Sequence, residues 1–388
     1  MTALMACLRF LFPNGSPPRF TRYESSADVA WLVLAHSRAP RLLVPTTPPR
    51  ATSLAIDRVS SALDWQHLLG RQMVGHALRT GVGSLYPERL VLDREGADSF
   101  LGYLSERFGQ PVIVAISVGR PRANLKPVLT VFSHTGQRLA FVKVGYPSVA
   151  AVHVERETAA LRALADKTFT QLVAPGVIFA DTWHGAPVLA ITALTEGVRW
   201  VRDGRRRIPH AAMAEVSRSS GAPISILDDV PAWVRLRDQA DVESRRDDFG
   251  EAVAVLRERH GDLVLRPSAW HGDWTPWNMC WERNKISLWD WERYDPDTVP
   301  GLDAYHYAIS CKANQGGLNK ATVRKGLDWA VSGTTSVNDR AKVLGQLYLA
   351  FIAGRHLEGR GDFSAGSFRL AGILLDVLSE SLAEPVTT

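Results

Sequence analysis

The stretch from Trp270 to Asp303, WHGDWTPWNMCWERNKISLWDWERYDPDTVPGLD, constrains this chain more than any other. Four polar residues, His271, Asp273, Asn278 and Asp290, are set among closely spaced tryptophans. Asp273 and Asn278 are near enough in sequence for one tight loop to aim both side chains at the same point. From Asn278 to Asp290 the chain reads as a β-hairpin: a strand over Met279–Glu282, a turn at Arg283-Asn284-Lys285, and an apolar return over Ile286–Trp289. Such a hairpin carries Asp290 back beside Asn278. Amide and carboxylate oxygens are hard ligands, and a site with one carboxylate and few protein partners suits Mg²⁺ when phosphates and water complete the shell. The bland alternative is that Asp273 and Asp290 are ordinary turn residues of a Trp-rich hairpin. The upstream sequence decides against it.

Three successive antiparallel strands are predicted over Val112–Gly119, Pro127–Gly136 and Arg138–Gly145, with His134-Thr135-Gly136 turning the second into the third. Lys143 lies in the third strand among Phe141, Val142 and Val144. A short loop follows, then a helix opening at Ser148, SVAAVHVERETAALRALA. Glu157 falls at helical spacing from Val154, Leu161 and Leu164, so it lies on the inward face, whereas Glu155 falls on the polar side. A carboxylate on a buried face needs a partner, and Lys143 is the candidate. Strand lysine, loop and helix glutamate is the arrangement in which a lysine reaches nucleotide phosphates while the glutamate holds it.

HGDWTPWN followed by LWDWE resembles the catalytic and metal-binding segment of the aminoglycoside phosphotransferase and choline kinase-like families, small-molecule kinases with the protein-kinase fold. The glutamate helix, with Leu at the fourth and seventh positions after Glu157, resembles the corresponding helix of the aminoglycoside phosphotransferases. The resemblance implies that Asp273 is the catalytic aspartate, that Asn278 and Asp290 hold Mg²⁺, and that His271 braces the loop. It also implies that Asp303 fixes the large lobe, and that Ala193 and Leu194, at the end of a hairpin over 176–197, form the hinge that receives the adenine of ATP. Gly272 stands where eukaryotic-type protein kinases carry Arg, which favours a small-molecule acceptor. The segment between the first two strands, Arg120–Lys126, departs from the pattern, because Gly119 is its lone glycine. Side chains there, Arg120, Arg122, Asn124 and Lys126, are the candidates to contact phosphate instead.

The expected fold class is α+β: a bilobal protein kinase-like fold with an N-terminal α+β extension. The extension takes residues 1–105, the small antiparallel lobe 106–194, and a mainly helical large lobe 195–388. WLVLAHS and RLLVP read as short buried strands of the extension, and Leu54–Thr80 has helical spacing. Further helices are predicted over Asp247–His260, Leu318–Val331, Ala341–Leu357 and Phe368–Leu382.

A chain of 388 residues with 22% charged and 46% hydrophobic residues is an ordinary globular one. Its net charge of +5 suits anionic small ligands. The charge is spread along the chain, so nucleic acid is not an expected partner; the densest cluster, Arg202–Arg207, reads as a solvated loop. Cys7, Cys280 and Cys311 form neither a disulfide framework nor a zinc pattern, which points to a reducing, cytoplasmic setting. No run approaches the roughly 18–20 apolar residues of a membrane span. No oligomeric state is implied.

Together these features lead to an expectation of an ATP- and Mg²⁺-dependent phosphotransferase acting on a hydroxyl of a small polar molecule. Aminoglycoside acceptors are less favoured, because the C-terminal helices carry only scattered acids. Trp274 and Trp277 are the tryptophans expected to face a ligand. The competing expectation is a catalytically silent, nucleotide-binding scaffold.

Overall fold

In the computed structural model the described residues are 3–14, 16–22, 28–34, 42–56, 73–80, 88–118, 126–194, 207–242, 247–282, 285–332, 339–358 and 364–384. The predicted phosphate-covering loop up to residue 125, residues 57–72 of the predicted helical stretch, the basic cluster up to residue 206, Thr195–Gly197 and the hairpin turn at 283–284 lie outside them. The chain divides into two compact units. One takes residues 1–59, 63–162 and 174–198, and the other 60–62, 163–173 and 199–388.

The first unit is built on one nine-stranded antiparallel sheet. Its strands are β1 (Arg19–Thr21), β2 (Asp28–Leu34), β3 (Leu42–Pro45), β4 (Arg89–Asp93), β5 (Val112–Val118), β6 (Pro127–Ser133), β7 (Arg138–Val144), β9 (Val177–Trp183) and β10 (Ala186–Ile191); the short β8 (Leu172–Val173) belongs to the other unit. Their spatial order is β1-β4-β2-β3-β5-β6-β7-β10-β9. The three strands predicted around Lys143 are present, and the turn between β6 and β7 uses Gly136 at φ +80°, where an L side chain is strained. Strands of the N-terminal segment continue the same sheet, because β3 pairs with β5 through Leu42↔Ser117 and Leu43↔Ile116.

Alternation along the strands sorts the two faces. Val112, Val114 and Ile116 of β5, and Ala140, Val142 and Val144 of β7, share a core with Leu4, Leu8 and Leu11 of helix α1 (Ala3–Leu11). Phe100 and Leu104 of α4 (Arg94–Phe108) complete that core. Arg107, in the last turn of α4, forms an ion pair with Asp181 of β9. On the opposite face, Ala51 and Ala55 of α2 (Pro49–Ile56) pack with Val44, Ala115 and Phe132. Residues 73–79 form a further helix, α3, and α5 (Ser148–Leu164) carries Glu157.

The second unit is mainly helical: α6 (His210–Arg218), α7 (Pro231–Val242), α8 (Asp247–His260), α9 (Leu302–Gly316), α10 (Lys320–Val331), α11 (Asp339–Leu357) and α12 (Ser364–Ala383). Helices α7 to α12 close around an apolar core that includes Trp233, Phe249, Leu256, Tyr348 and Leu378. Its strands are short: β11 (Ser225–Ile226) pairs with β12 (Val264–Leu265), and β13 (Ser268–Trp270) with β16 (Asp295–Thr298). The predicted hairpin is β14 (Met279–Glu282) and β15 (Lys285–Leu288), with β8 added in parallel at its edge. Among the described residues no helix is long and apolar enough to cross a membrane.

Candidate active site

In the first unit, Lys143 sits mid-sheet, opposite Val128 on β6 and Leu189 on β10. Its ammonium lies 2.6 and 2.7 Å from the two carboxylate oxygens of Glu157. Both side chains are buried, Glu157 completely, and Glu155 on the opposite face of α5 is exposed. Because neighbours alternate, Val142 and Val144 point into the α1/α4 core while Lys143 points to α5. A second ammonium, that of Lys126 at the foot of β6, stands 3.8 Å from Glu157 Oε2. Arg120, Arg122 and Asn124 are outside the described residues. Ala193 and Leu194 are half-buried just beyond the end of β10, after the backbone bond from Thr192 N–H to the Gly176 carbonyl.

In the second unit, the loop between β13 and β14 gathers the polar residues singled out in the sequence. Asp303, in the first turn of α9, accepts the backbone N–H groups of His271 (2.8 Å) and Gly272 (3.1 Å). Gly272 has φ +80°, and a Cβ there would lie 2.2 Å from the Arg293 carbonyl oxygen, so only glycine fits this turn. Arg355 of α11 donates to the Gly272 carbonyl at 2.5 Å, its guanidinium resting over Trp270. His271 is fully buried. Its Nδ1 accepts the Asp273 N–H at 3.2 Å, so the ring proton is on Nε2, which donates to the Trp289 carbonyl at 3.2 Å. Burial pulls the imidazole down to about 4, so the ring stays neutral, with both nitrogens engaged by backbone groups.

Asp273 follows, with its side chain 36% exposed although the loop around it is buried. One oxygen, Oδ2, accepts from Asn278 Nδ2 at 2.8 Å, and Oδ1 accepts from His306 Nε2 at 3.1 Å. Burial alone would raise this carboxyl, but the His306 hydrogen bond and nearby positive charge, including Arg355, outweigh it and hold it below the usual range. The residue is an ionised, oriented acceptor open to a ligand.

Asn278 also donates to the Asp273 carbonyl at 3.0 Å, so its amide N–H groups are turned inward and Oδ1 is what it has left to offer a cation. The Asn278 carbonyl accepts the Trp289 N–H at 3.0 Å, closing the base of the hairpin one residue from Asp290. Asp290 adopts a left-handed backbone, φ +66°, and its carboxylate is near enough to act on the His271 imidazole. An amide oxygen and a carboxylate at one hairpin end are a partial hard-oxygen shell, which fits Mg²⁺ whose remaining positions are filled by phosphate and water. Among the described residues no three His, Cys, Asp or Glu side chains cluster to hold a metal by themselves.

The tryptophans divide differently from the sequence reading. Trp274 is core: it is fully buried, with its indole N–H on the Met279 sulfur at 3.3 Å. Trp291 is equally buried and lies edge-on to His271. Trp277 is 43% exposed. Sequence reasoning missed His306, Tyr348 and Arg355. The signal available was spacing: His306 follows Asp303 by one turn of α9, and Arg355 follows Tyr348 by two turns of α11, so each pair shares a helix face.

No family model matches the chain, and no curated protein sequence does. Solved structures do. A thermostable variant of aminoglycoside phosphotransferase APH(4)-Ia, in ternary complex with ADP and hygromycin B, superposes with a TM-score of 0.52 at 13% identity over 74% of this chain and 100% of its own. A second variant, with AMP-PNP and hygromycin B, gives 0.52 at 12% identity over 75% and 99%. The fold is that of the aminoglycoside phosphotransferases. About a quarter of this chain lies outside the match to APH(4)-Ia.

Proposed function

We propose that the protein is an ATP- and Mg²⁺-dependent phosphotransferase that moves the γ-phosphoryl group to a hydroxyl of a small polar acceptor. The observation that carries this reading is Asp273: an ionised carboxylate, oriented through both oxygens, on a braced loop and hydrogen-bonded to Asn278. A turn aspartate of a structural hairpin needs none of this. The phosphotransferase fold and the nucleotides bound by its solved relatives add support.

In this reading Lys143, held by Glu157, neutralises nucleotide phosphate charge, and the backbone at Ala193–Leu194 receives the adenine. Asn278 and Asp290 hold Mg²⁺, which when bound offsets charge on the β- and γ-phosphates. Asp273 orients the acceptor hydroxyl. As the acceptor oxygen bonds to phosphorus and the bond to the ADP oxygen breaks, the hydroxyl proton passes to the Asp273 carboxylate. His271 keeps the loop in register without exchanging a proton.

The test is Asp273→Ala, with Mg²⁺-ATP binding followed by thermal shift and transfer followed by ADP release over a panel of sugars and amino alcohols. Transfer is expected to disappear while nucleotide binding survives; an equally active variant refutes the assignment. Nucleotide binding by the wild type without turnover on any acceptor identifies the silent scaffold instead.

A further inference from the structure

The second unit holds a side chain for which the reading above has no use. His306, on α9, is only 12% exposed and touches a different residue with each ring nitrogen: Nε2 is 3.1 Å from Asp273 Oδ1, and Nδ1 is 3.1 Å from the Tyr348 hydroxyl. An ionised carboxylate only accepts, so Nε2 must carry a proton, and Nδ1 is left to the tyrosine.

We propose that His306 is the positioning residue for Asp273, with Tyr348 as its anchor; the proposal rests on reading Asp273 as the group that takes the acceptor proton. Three features support it. First, α9 grips the loop twice from one face: Asp303 takes the backbone N–H groups of His271 and Gly272, and His306, a turn later, takes the Asp273 side chain. Loop and carboxylate are thus referenced to one rigid element. Second, the far side of the imidazole is fixed. Tyr348 is buried, stacked on Tyr305 with ring centres 5.9 Å apart, and Tyr305 is tied by its hydroxyl to the Ala341 carbonyl at 2.7 Å. Swinging the ring therefore breaks its hydrogen bond to an anchored hydroxyl. Third, the bonds divide the carboxylate's capacity. Asn278 and His306 each take one of its oxygens, which fixes its plane and leaves a lone pair on each oxygen for the acceptor. When the acceptor O–H bond breaks, the proton moves to Asp273; His306 keeps its own proton on Nε2 and exchanges none.

A histidine that merely satisfied a partly buried carboxylate would contribute to stability alone. A positioning residue makes a different prediction. His306→Leu should lower the rate of ADP release from Mg²⁺-ATP, with water as acceptor, by about 10- to 100-fold at unchanged KM for ATP. His306→Gln, which keeps an N–H near the Nε2 position, should recover most of that rate, and Tyr348→Phe should lose less than His306→Leu. In wild-type protein labelled with ¹⁵N-histidine, the ring signal that disappears in His306→Gln should show a proton on Nε2 and should shift in Asp273→Asn. A His306→Leu enzyme with wild-type turnover, or a His306 ring whose Nε2 bears no proton, overturns the proposal. Asp273→Asn separates the two levels of argument. If it is inactive while His306→Leu is unimpaired, the positioning role alone falls; if it is fully active, the assignment of Asp273 falls. The ring spectrum decides the geometry even where turnover in water is too slow to measure.

Discussion

Replacing Lys143 by methionine removes a buried ammonium without removing its stem, and leaves Glu157, which has no exposed surface, facing an apolar side chain. Breaking a buried ion pair from one side costs about 3–5 kcal/mol, because the surviving charge loses its partner without regaining water. Here the pair is close, with both Glu157 oxygens within 2.7 Å of the ammonium. Lys126, at 3.8 Å, remains to offset part of the loss, so the lower end, about 3 kcal/mol, is expected. For a unit of this size that corresponds to a fall in Tm of about 6–12 °C. Glu157→Leu should likewise destabilise, by crowding two lysines with no carboxylate between them. The decisive variant is the double replacement Lys143→Met/Glu157→Leu, which removes both charges of the close pair, takes the carboxylate from Lys126 as well, and should lie within about 2 kcal/mol of wild type. A coupling of at least about 2 kcal/mol is expected from the cycle, read by urea unfolding with circular dichroism. Single-variant losses that add to within about 0.5 kcal/mol would refute the pairing. Both variants should also weaken Mg²⁺-ATP binding, because the lysine's placement depends on the glutamate; nucleotide affinity unchanged in Lys143→Met would detach the pair from the phosphates.

Gly272→Ala places a methyl 2.2 Å from the Arg293 carbonyl at φ +80°, so the loop must shift. The expected loss is at least about 2 kcal/mol of stability, together with turnover, and an unchanged melting temperature would show that the turn relaxes freely. His271 sets a pH dependence. Its imidazole sits at about 4 in the fold against an ordinary 6.5, so the unfolded chain binds the proton first and the His271 contribution, complete above pH 6.5, is lost as pH falls toward 4. Burial holds Asp303 up at about 6, which acts in the opposite direction over much of the same interval. The clean readout is therefore the stability difference between wild type and His271→Asn, which should shrink by about 2 kcal/mol between pH 7 and 4.5 in urea titrations; a constant difference would mean that the ring is not held neutral.

Much of this site was legible because its chemistry is written locally. Asp273, Asn278 and Asp290 are joined by one loop and one hairpin, and hairpin pairing follows from alternation and turn residues over a dozen positions. The burial of Glu157, but not Glu155, followed from helical period alone. What escaped depends on contacts between distant segments. Leu42–Pro45 reads as a short buried strand, but nothing in it says that it will pair with Val112–Val118 and join strands β1–β4 to the sheet carrying Lys143. Nor does an apolar N-terminal helix announce that it covers the face of that sheet turned away from the lysine. Trp274 shows the same limit at close range: a tryptophan flanked by site residues is aimed by backbone direction, and its indole is turned into the core against Met279. Residue type therefore picked out the groups proposed to do the chemistry, while long-range packing chose the groups that hold them. His306 belongs to the second class, since an imidazole on a helix face acquires meaning only when a loop 33 residues upstream in sequence brings a carboxylate to it.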